Sequence, residues 1–499
     1  MEQFRNLLSW NTSAKDPLVL AILLGAIAAM TLLLFSRPRL YLPLILLTTP
    51  LPKLFTITQY EEWGHRQNAA GFSVGDLVLA AGLAALLLRG ARKSLPREAS
   101  AFGHALMLWS GSVCFSVAMG LVLWRGTYQL GNSLYAFRYI LTLASCAVAA
   151  RYAMSARNER SVRSLLVQLA VAGNVTVALG VLYYFSVGSS AGGSVSNMLY
   201  SADTAVFRGY LFFFDYGIDM GYYAVTIAIL NIILLSQGRT AGSRLISGIG
   251  IGLCIAAVLL VGERVNVLVL LAALGYFFLE TAKARHRSVR VSVVFQITCL
   301  LVVIGAGVAI MGVVAPGQMI RKFDRATQSE FQEAAGYAMS QAGVPPAITA
   351  FVSALPIGDF AVRLGLNIAS LWFFFQHPLG VGFWGEWSVV GWYAHHEIVK
   401  IAVEQSIPGL VAFVWLMVML RRLLWVRGDL PGSGGQLGVL LRSISVGLFA
   451  ALLGANTVLL DMKFAMVYWT LVGVWSVLPR TRTRRLAPVA IREIEAVNV

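Results

Sequence analysis

The sequence predicts an all-α polytopic membrane protein of about twelve or thirteen transmembrane helices, with one large helical loop on its outer side. Three observations predict it. The 499 residues are 58% hydrophobic and only 12% charged, against the charged share of about 25% with which soluble domains cover a water-facing surface. Apolar runs of membrane-spanning length recur along the chain. Short basic clusters between those runs alternate with loops rich in Asp and Glu.

The N-terminus is polar up to Asp16 and the first apolar run, Pro17–Phe35, has full length, so no cleavable signal peptide is expected. Further runs such as Ala101–Val122, Ser164–Phe185, Leu245–Val261 and Val291–Val314 can each cross about 30 Å of hydrocarbon. The span after Arg39, Leu40–Leu51, is short, and it leaves twelve and thirteen spans both open. Cys114, Cys146, Cys254 and Cys299 all lie inside apolar runs without metal-ligand spacing, which fits small hydrophobes rather than a disulfide framework.

A net charge of +16 could suggest a nucleic-acid binder. Its distribution excludes that class: seven clusters between apolar runs hold 25 of the 39 basic residues, as the positive-inside rule demands of cytoplasmic loops. The expected partners are membrane lipids, not nucleic acid. The organisation that follows is N-terminal transmembrane helices (1–314), a large periplasmic loop with amphipathic helices (315–405), C-terminal transmembrane helices (406–479) and a basic cytoplasmic tail (480–499).

The large loop opens with a polar segment, Arg321–Gln341, and Gly343-Val344-Pro345-Pro346, then turns semi-apolar and rich in Gly and Trp. Loops of this length are functional or disordered. Its aromatic residues, among them Trp372, Phe383, Trp384, Trp387 and Trp392, point instead to short amphipathic helices at the outer membrane–water boundary.

Four arginines outside the cytoplasmic clusters sit in or beside apolar sequence on the outer side: Arg138, Arg208, Arg264 and Arg363. Charge at a helix centre costs at least about 2.5–3.5 kcal/mol and so marks pairing or function. Arg264 has Glu263 beside it as a local partner, and Arg208 has Asp215 and Asp219. Arg138 and Arg363 read either as interfacial anchors or as ligands. Converging on one cavity, such arginines would suit a diphosphate, because guanidinium forks bind phosphate oxygens in bidentate fashion and stay charged.

Three of the six histidines, His377, His395 and His396, lie in the large loop. His377-Pro378-Leu379-Gly380-Val381-Gly382-Phe383 reads as a helix end followed by a turn. Ala394-His395-His396-Glu397 opens a helical stretch expected to run to Gln405, before Ile407-Pro408-Gly409-Leu410 begins the next span. Adjacent histidines on a helix point about 100° apart, which argues against a paired-histidine metal site. One of them can serve as a general base, since imidazole titrates near neutral pH, or both can be structural.

Together these segments are similar to the signature region of the O-antigen ligase and polymerase superfamily: Arg363 followed by apolar sequence, the His377–Phe383 segment, Ala394-His395, then Glu404-Gln405-Ser406-Ile407-Pro408-Gly409-Leu410. Gly262-Glu263-Arg264 resembles the family's Ser-Arg turn, and Phe207-Arg208-Gly209-Tyr210-Leu211-Phe212 its arginine-bearing apolar segment. The resemblance covers roughly residues 130–420. His396 stands where the family has Asn, Ser406 where it often has Gly, and Glu263 where it has Ser.

The resemblance implies a C-type membrane glycosyltransferase fold (GT-C) in the bacterial inner membrane, with its active site facing the periplasm. It implies an undecaprenyl-diphosphate-linked glycan as donor. The acceptor would be lipid A–core for a ligase or another carrier-linked glycan for a polymerase. No cofactor and no metal are expected. His395 would be the base, Arg208, Arg264, Arg363 and Arg138 would bind diphosphate, and His396, His377 and Glu404 would support them. A lipid-linked glycan flippase is the competing class. It needs polar groups along the full depth of its helices, whereas here they gather at the outer end.

Overall fold

The structure is a computed structural model that describes residues 17–51, 53–62, 65–90, 95–128, 130–154, 159–190, 217–236, 240–261, 264–284, 329–355, 358–392, 394, 396–425, 432–452 and 463–478. These residues form a helical bundle consistent with a polytopic membrane protein. Among them, five helices are long and apolar enough to cross a membrane, or six if one bent pair is a single span. Four shorter apolar helices stand beside these.

The bent pair is α1 (Pro17–Ser36) and α2 (Tyr41–Thr48), joined through a single 3-10 turn at Pro38–Leu40. The two helices meet at 112°. Pro38 lacks the N–H that would continue α1, and the residue before a proline is steered away from helix. Leu40–Leu51, expected as a possible span, therefore makes no straight span of its own. The eight residues of α2 reach only about 12 Å.

An antiparallel hairpin follows, β1 (Lys53–Glu62) and β2 (His65–Ser73), with His65 opposite Glu62. Sequence alone suggests an outer loop here. The β-branched run Thr56-Ile57-Thr58 favours extended backbone, and irregularities at Phe55–Gln59 break the alternation that would have advertised it.

Ser73 and Asp76 form a capping box that starts α3 (Val74–Leu88). The bundle continues with α4 (Arg97–Leu123), α5 (Leu130–Ala153), α6 (Glu159–Ser190), α7 (Gly217–Leu235), α8 (Ala241–Val261) and α9 (Arg264–Ala284). Three helices of the large loop come next: α10 (Ser329–Gln341), α11 (Pro346–Ser353) and α12 (Gly358–Gln376). The chain then forms α13 (Glu386–Val390), α14 (Glu397–Trp425), α15 (Gly432–Leu452) and α16 (Lys463–Val477). The main packing partners are α4 with α14, α5 with α16, α7 with α8 and α9 with α15. Trp109, Trp469, Trp475, Tyr222 and Tyr223 are fully buried among them.

Side-chain contacts tie the helix ends together. At the basic end the Arg89 guanidinium donates to the Phe35 carbonyl, and Tyr41 stacks on Tyr152 at 4.3 Å. At the other end the Asp219 carboxylate accepts the Phe464 N–H at 2.8 Å, capping α16. Arg442, which the charge pattern counts in one cytoplasmic cluster with Arg421, Arg422 and Arg427, is buried within α15 instead. It pairs with Glu280 at 3.1 Å, and Tyr276 and Trp425 extend the network. A buried arginine needs such partners, because its uncompensated charge would be strongly destabilising.

Cysteine-accessibility labelling tests the sidedness. In a background without the four native cysteines, Ser388→Cys is expected to label from the outer side and Ser94→Cys only after permeabilisation. Equal outside labelling of both would overturn the topology.

Candidate functional site

The site grows from an interruption in α14. Ser406 takes φ 61° and ψ −165°, a break inside the helix, and Pro408 follows it. Proline has no N–H to give the carbonyl four residues earlier, which is that of Glu404. The carbonyls left open at the break take other donors. Val381 N–H reaches the Val403 carbonyl at 2.9 Å and Gly382 N–H reaches that of Glu404 at 3.2 Å. The Ser116 hydroxyl, from α4, also donates to the Glu404 carbonyl at 2.6 Å.

The segment supplying those N–H groups follows α12, which closes at His377 with a bond from its N–H to the Phe373 carbonyl. Pro378 then forbids helix. Gly380 and Gly382 adopt φ +77° and +94°, the left-handed region open to glycine. A Cβ on Gly382 would lie 2.6 Å from the Gly120 Cα of α4. Trp124 Nε1–H donates to the Gly380 carbonyl at 3.1 Å, and the Tyr128 hydroxyl to that of Phe383 at 2.7 Å. Residues 380–385 are thus clamped between α4 and the broken α14.

Behind this clamp lies a buried charged cluster. Glu397, Lys400 and Glu404 occupy one face of the N-terminal part of α14, before its break, and Glu386 opens α13; all four are at most 5% exposed. The Lys400 ammonium sits 3.6 Å from the centre of the Trp384 ring, a cation–π contact in a desolvated setting. One Glu386 oxygen, Oε1, accepts the Ser370 hydroxyl and the Ala394 N–H, each at 2.7 Å. Trp392 Nε1–H donates to the same Ser370 oxygen at 3.1 Å. Burial pushes the Glu386 carboxyl up to about 8, and the Glu404 carboxylate adds to the rise. The Ser370 hydroxyl, the Lys400 ammonium and the Ala394 N–H oppose it.

His396 lies just before α14. Its carbonyl accepts the Lys400 N–H at 2.9 Å, which makes it the N-cap residue. The helix begins at Glu397, so the expected 100° separation of His395 and His396 along a helix does not apply. Burial holds the His396 imidazole below its ordinary value, and its Nδ1 has no hydrogen-bond partner among the described residues.

The structure brings some of the expected site residues together. Glu404 is part of the buried cluster and His396 stands at its edge. Arg363 is half-buried on α12, seven residues before Ser370. That spacing puts it on the face that meets Glu386, about 10 Å away along the axis. His377 is exposed, tilted against Phe373 at 4.4 Å and edge-on to Trp124 at 5.3 Å. Arg138 lies elsewhere, 3.7 Å from the Asp76 carboxylate that caps α3; its neighbour Tyr139 is the residue that touches the clamp, 5.1 Å from Phe383. Arg264 is the first residue of α9, with its side chain outside the described residues. Arg208 and His395 lie outside them entirely.

Glu386, Lys400, Ser370 and Trp392 do not stand out as site residues in the sequence. The spacing of Glu397, Lys400 and Glu404, three and then four residues apart, is a usable signal of one polar face. Nothing local ties Glu386 to it. Among the described residues no three His, Cys, Asp or Glu side chains converge to hold a metal ion. No model of a known protein family matches the chain, and no curated protein matches it either.

Proposed function

We propose that the chain is a membrane glycosyltransferase that moves a glycan from a polyprenyl diphosphate to an acceptor hydroxyl at the outer face of the bacterial inner membrane. The observation that carries the reading is the clamp. The Pro-Leu-Gly-Val-Gly loop is bonded to the carbonyls of a helix broken at Ser406, and this supports the histidine-bearing segment beside a helix carrying Arg363. The same segments are the ones that resemble the O-antigen ligase and polymerase superfamily.

In the proposed reaction the acceptor oxygen attacks the anomeric carbon as the bond to the diphosphate oxygen breaks. Configuration inverts. The acceptor proton passes to His395, and the diphosphate leaves as an anion that needs cations rather than a proton. Arg208 and Arg264 clamp it, Arg363 orients diphosphate or acceptor, and aromatic residues near Trp384 meet sugar faces or the prenyl chain. His377 and Glu404 hold the loop in shape. The architecture proposed for this chemistry is of the C type.

Transfer from a purified lipid-linked donor in nanodiscs tests the reading; no transfer to either class of acceptor would overturn it. Deletion of the gene separates the acceptors. Single surface repeats indicate a polymerase, and full-length chains left on the prenyl carrier indicate a ligase. Arg264→Lys is expected to lose at least about tenfold in kcat/KM at equal expression, because an ammonium keeps the charge but cannot reproduce the guanidinium fork. Wild-type turnover by that variant would assign Arg264 to its neighbour Glu263 instead.

A further inference from the structure

We infer that Glu386 is the positioning residue of the histidine-bearing segment 392–396 and that it acts as a neutral carboxyl group. In its bearing on transfer, this rests on the function proposed above.

The geometry is specific. Glu386 is wholly buried, and its Oε1 gathers three pieces of chain: α12 through Ser370, the turn through Trp392 by way of Ser370, and the backbone N–H of Ala394. Ala394 is one residue before His395 and two before the N-cap of α14. Moving that N–H moves the backbone that leads into the His396 N-cap.

The second oxygen, Oε2, is buried and has no hydrogen-bond partner among the described residues. An ionised carboxylate would leave about half of its delocalised charge on that buried oxygen without a hydrogen bond. A neutral carboxyl bears far less. Among the described residues, the charged groups on the elements around it are Glu397, Lys400 and Glu404 of α14 and Arg363 of α12, with His396 at the edge. Two buried carboxyls, Glu386 and Glu404, thus lie within range of one another and of one buried ammonium, and Lys400 is already engaged by the Trp384 ring. Holding one proton on Glu386 leaves its two accepted bonds intact and relieves its repulsion with Glu404.

Glu386→Gln mimics the neutral carboxyl: the amide oxygen can still accept from Ser370 and Ala394. Glu386→Ala removes the acceptor. In the transfer assay Glu386→Ala is expected to lose about tenfold to a hundredfold in kcat, with KM within about twofold, as misplacement of a reacting group does. Glu386→Gln is expected to restore most of that loss. Unchanged kcat in Glu386→Ala overturns the proposal, and so does a Glu386→Gln variant as inactive as Glu386→Ala, since the ionised form would then be the one required. If Glu386→Ala fails to fold, Ser370→Ala, which removes one of the two donors, is expected to show the same kcat loss in milder form, and wild-type kcat there counts against it.

A second measurement is independent of transfer. A carboxyl raised on folding holds more protons in the folded than in the unfolded state between the ordinary carboxylate range and its folded value. Its stabilising contribution is therefore present at acid pH and is lost as pH rises to about 8. The melting temperature of the wild type in detergent is expected to fall across that window relative to Glu386→Gln. Superimposable pH–melting curves overturn the neutral carboxyl. If the wild type transfers nothing, the proposed function fails alone and these melting curves still decide the state of Glu386.

Discussion

His395→Ala is expected to lose about 10²–10⁴-fold in glycan transfer while remaining folded, whereas His396→Asn stays largely active. The contrast follows from what each histidine can do. A general base must reach the acceptor hydroxyl within about 2.6–3.2 Å, and it must be free to take a proton. His396 caps α14 through its carbonyl, which accepts the Lys400 N–H, and burial disfavours the charged form of its imidazole, which makes it the weaker base. Asn is among the best residues at a helix N-cap, so His396→Asn preserves that role. Transfer from a purified lipid-linked donor in nanodiscs measures both variants. Should His395→Ala turn over normally while His396→Asn is dead, the assignments exchange. If both are normal, neither imidazole is the base and the arginine clamp carries the reaction.

The bundle is legible in the sequence because its signals are local. Apolar length needs no tertiary information, and among the described residues the long apolar runs form helices of membrane-spanning length. The clamp is legible in part for the same reason. Pro378, Gly380, Gly382 and Pro408 each forbid or interrupt regular backbone, and the breaks fall beside them. What cannot be read is that two distant breaks satisfy one another, with Val381 and Gly382 supplying the N–H groups that Val403 and Glu404 lack.

Charges in unexpected places account for most of the remaining differences. Along the sequence, cations sort into cytoplasmic anchors and candidate ligands. Arg442 belongs to neither class, being buried against Glu280. Carboxylates between residues 315 and 405 count there as a topological signal, apart from Glu404, which the resemblance makes a supporting residue; Glu386 and Glu397 are interior beside it. Charge alone says where a loop lies; it does not say which charges the fold then encloses. The hairpin escapes detection for a different reason: its bulges disrupt the two-residue period on which strand recognition depends.

Substitution at Gly382 tests the clamp directly, and Gly382→Val is expected to be the most damaging single change at the site outside the base itself. Two effects add. A β-branched residue at φ +94° bears backbone strain of about 1–3 kcal/mol. Its Cβ would also lie 2.6 Å from the Gly120 Cα and 2.7 Å from the Tyr128 ring. The glycine contact is backbone, so α4 or the loop must move, and the N–H bond from residue 382 to the Glu404 carbonyl lengthens with it. Gly391 is the control. It has φ +85°, but a Cβ added there would meet nothing within 4 Å, so Gly391→Ala bears only the strain. In detergent, Gly391→Ala is expected to melt a few degrees below wild type. Gly382→Val is expected to melt substantially lower still, with transfer lost at temperatures where the bundle remains helical. Equal melting of the two variants would mean that residues 380–385 are not held against α4, and the route by which the broken helix supports the histidine segment would fail with it.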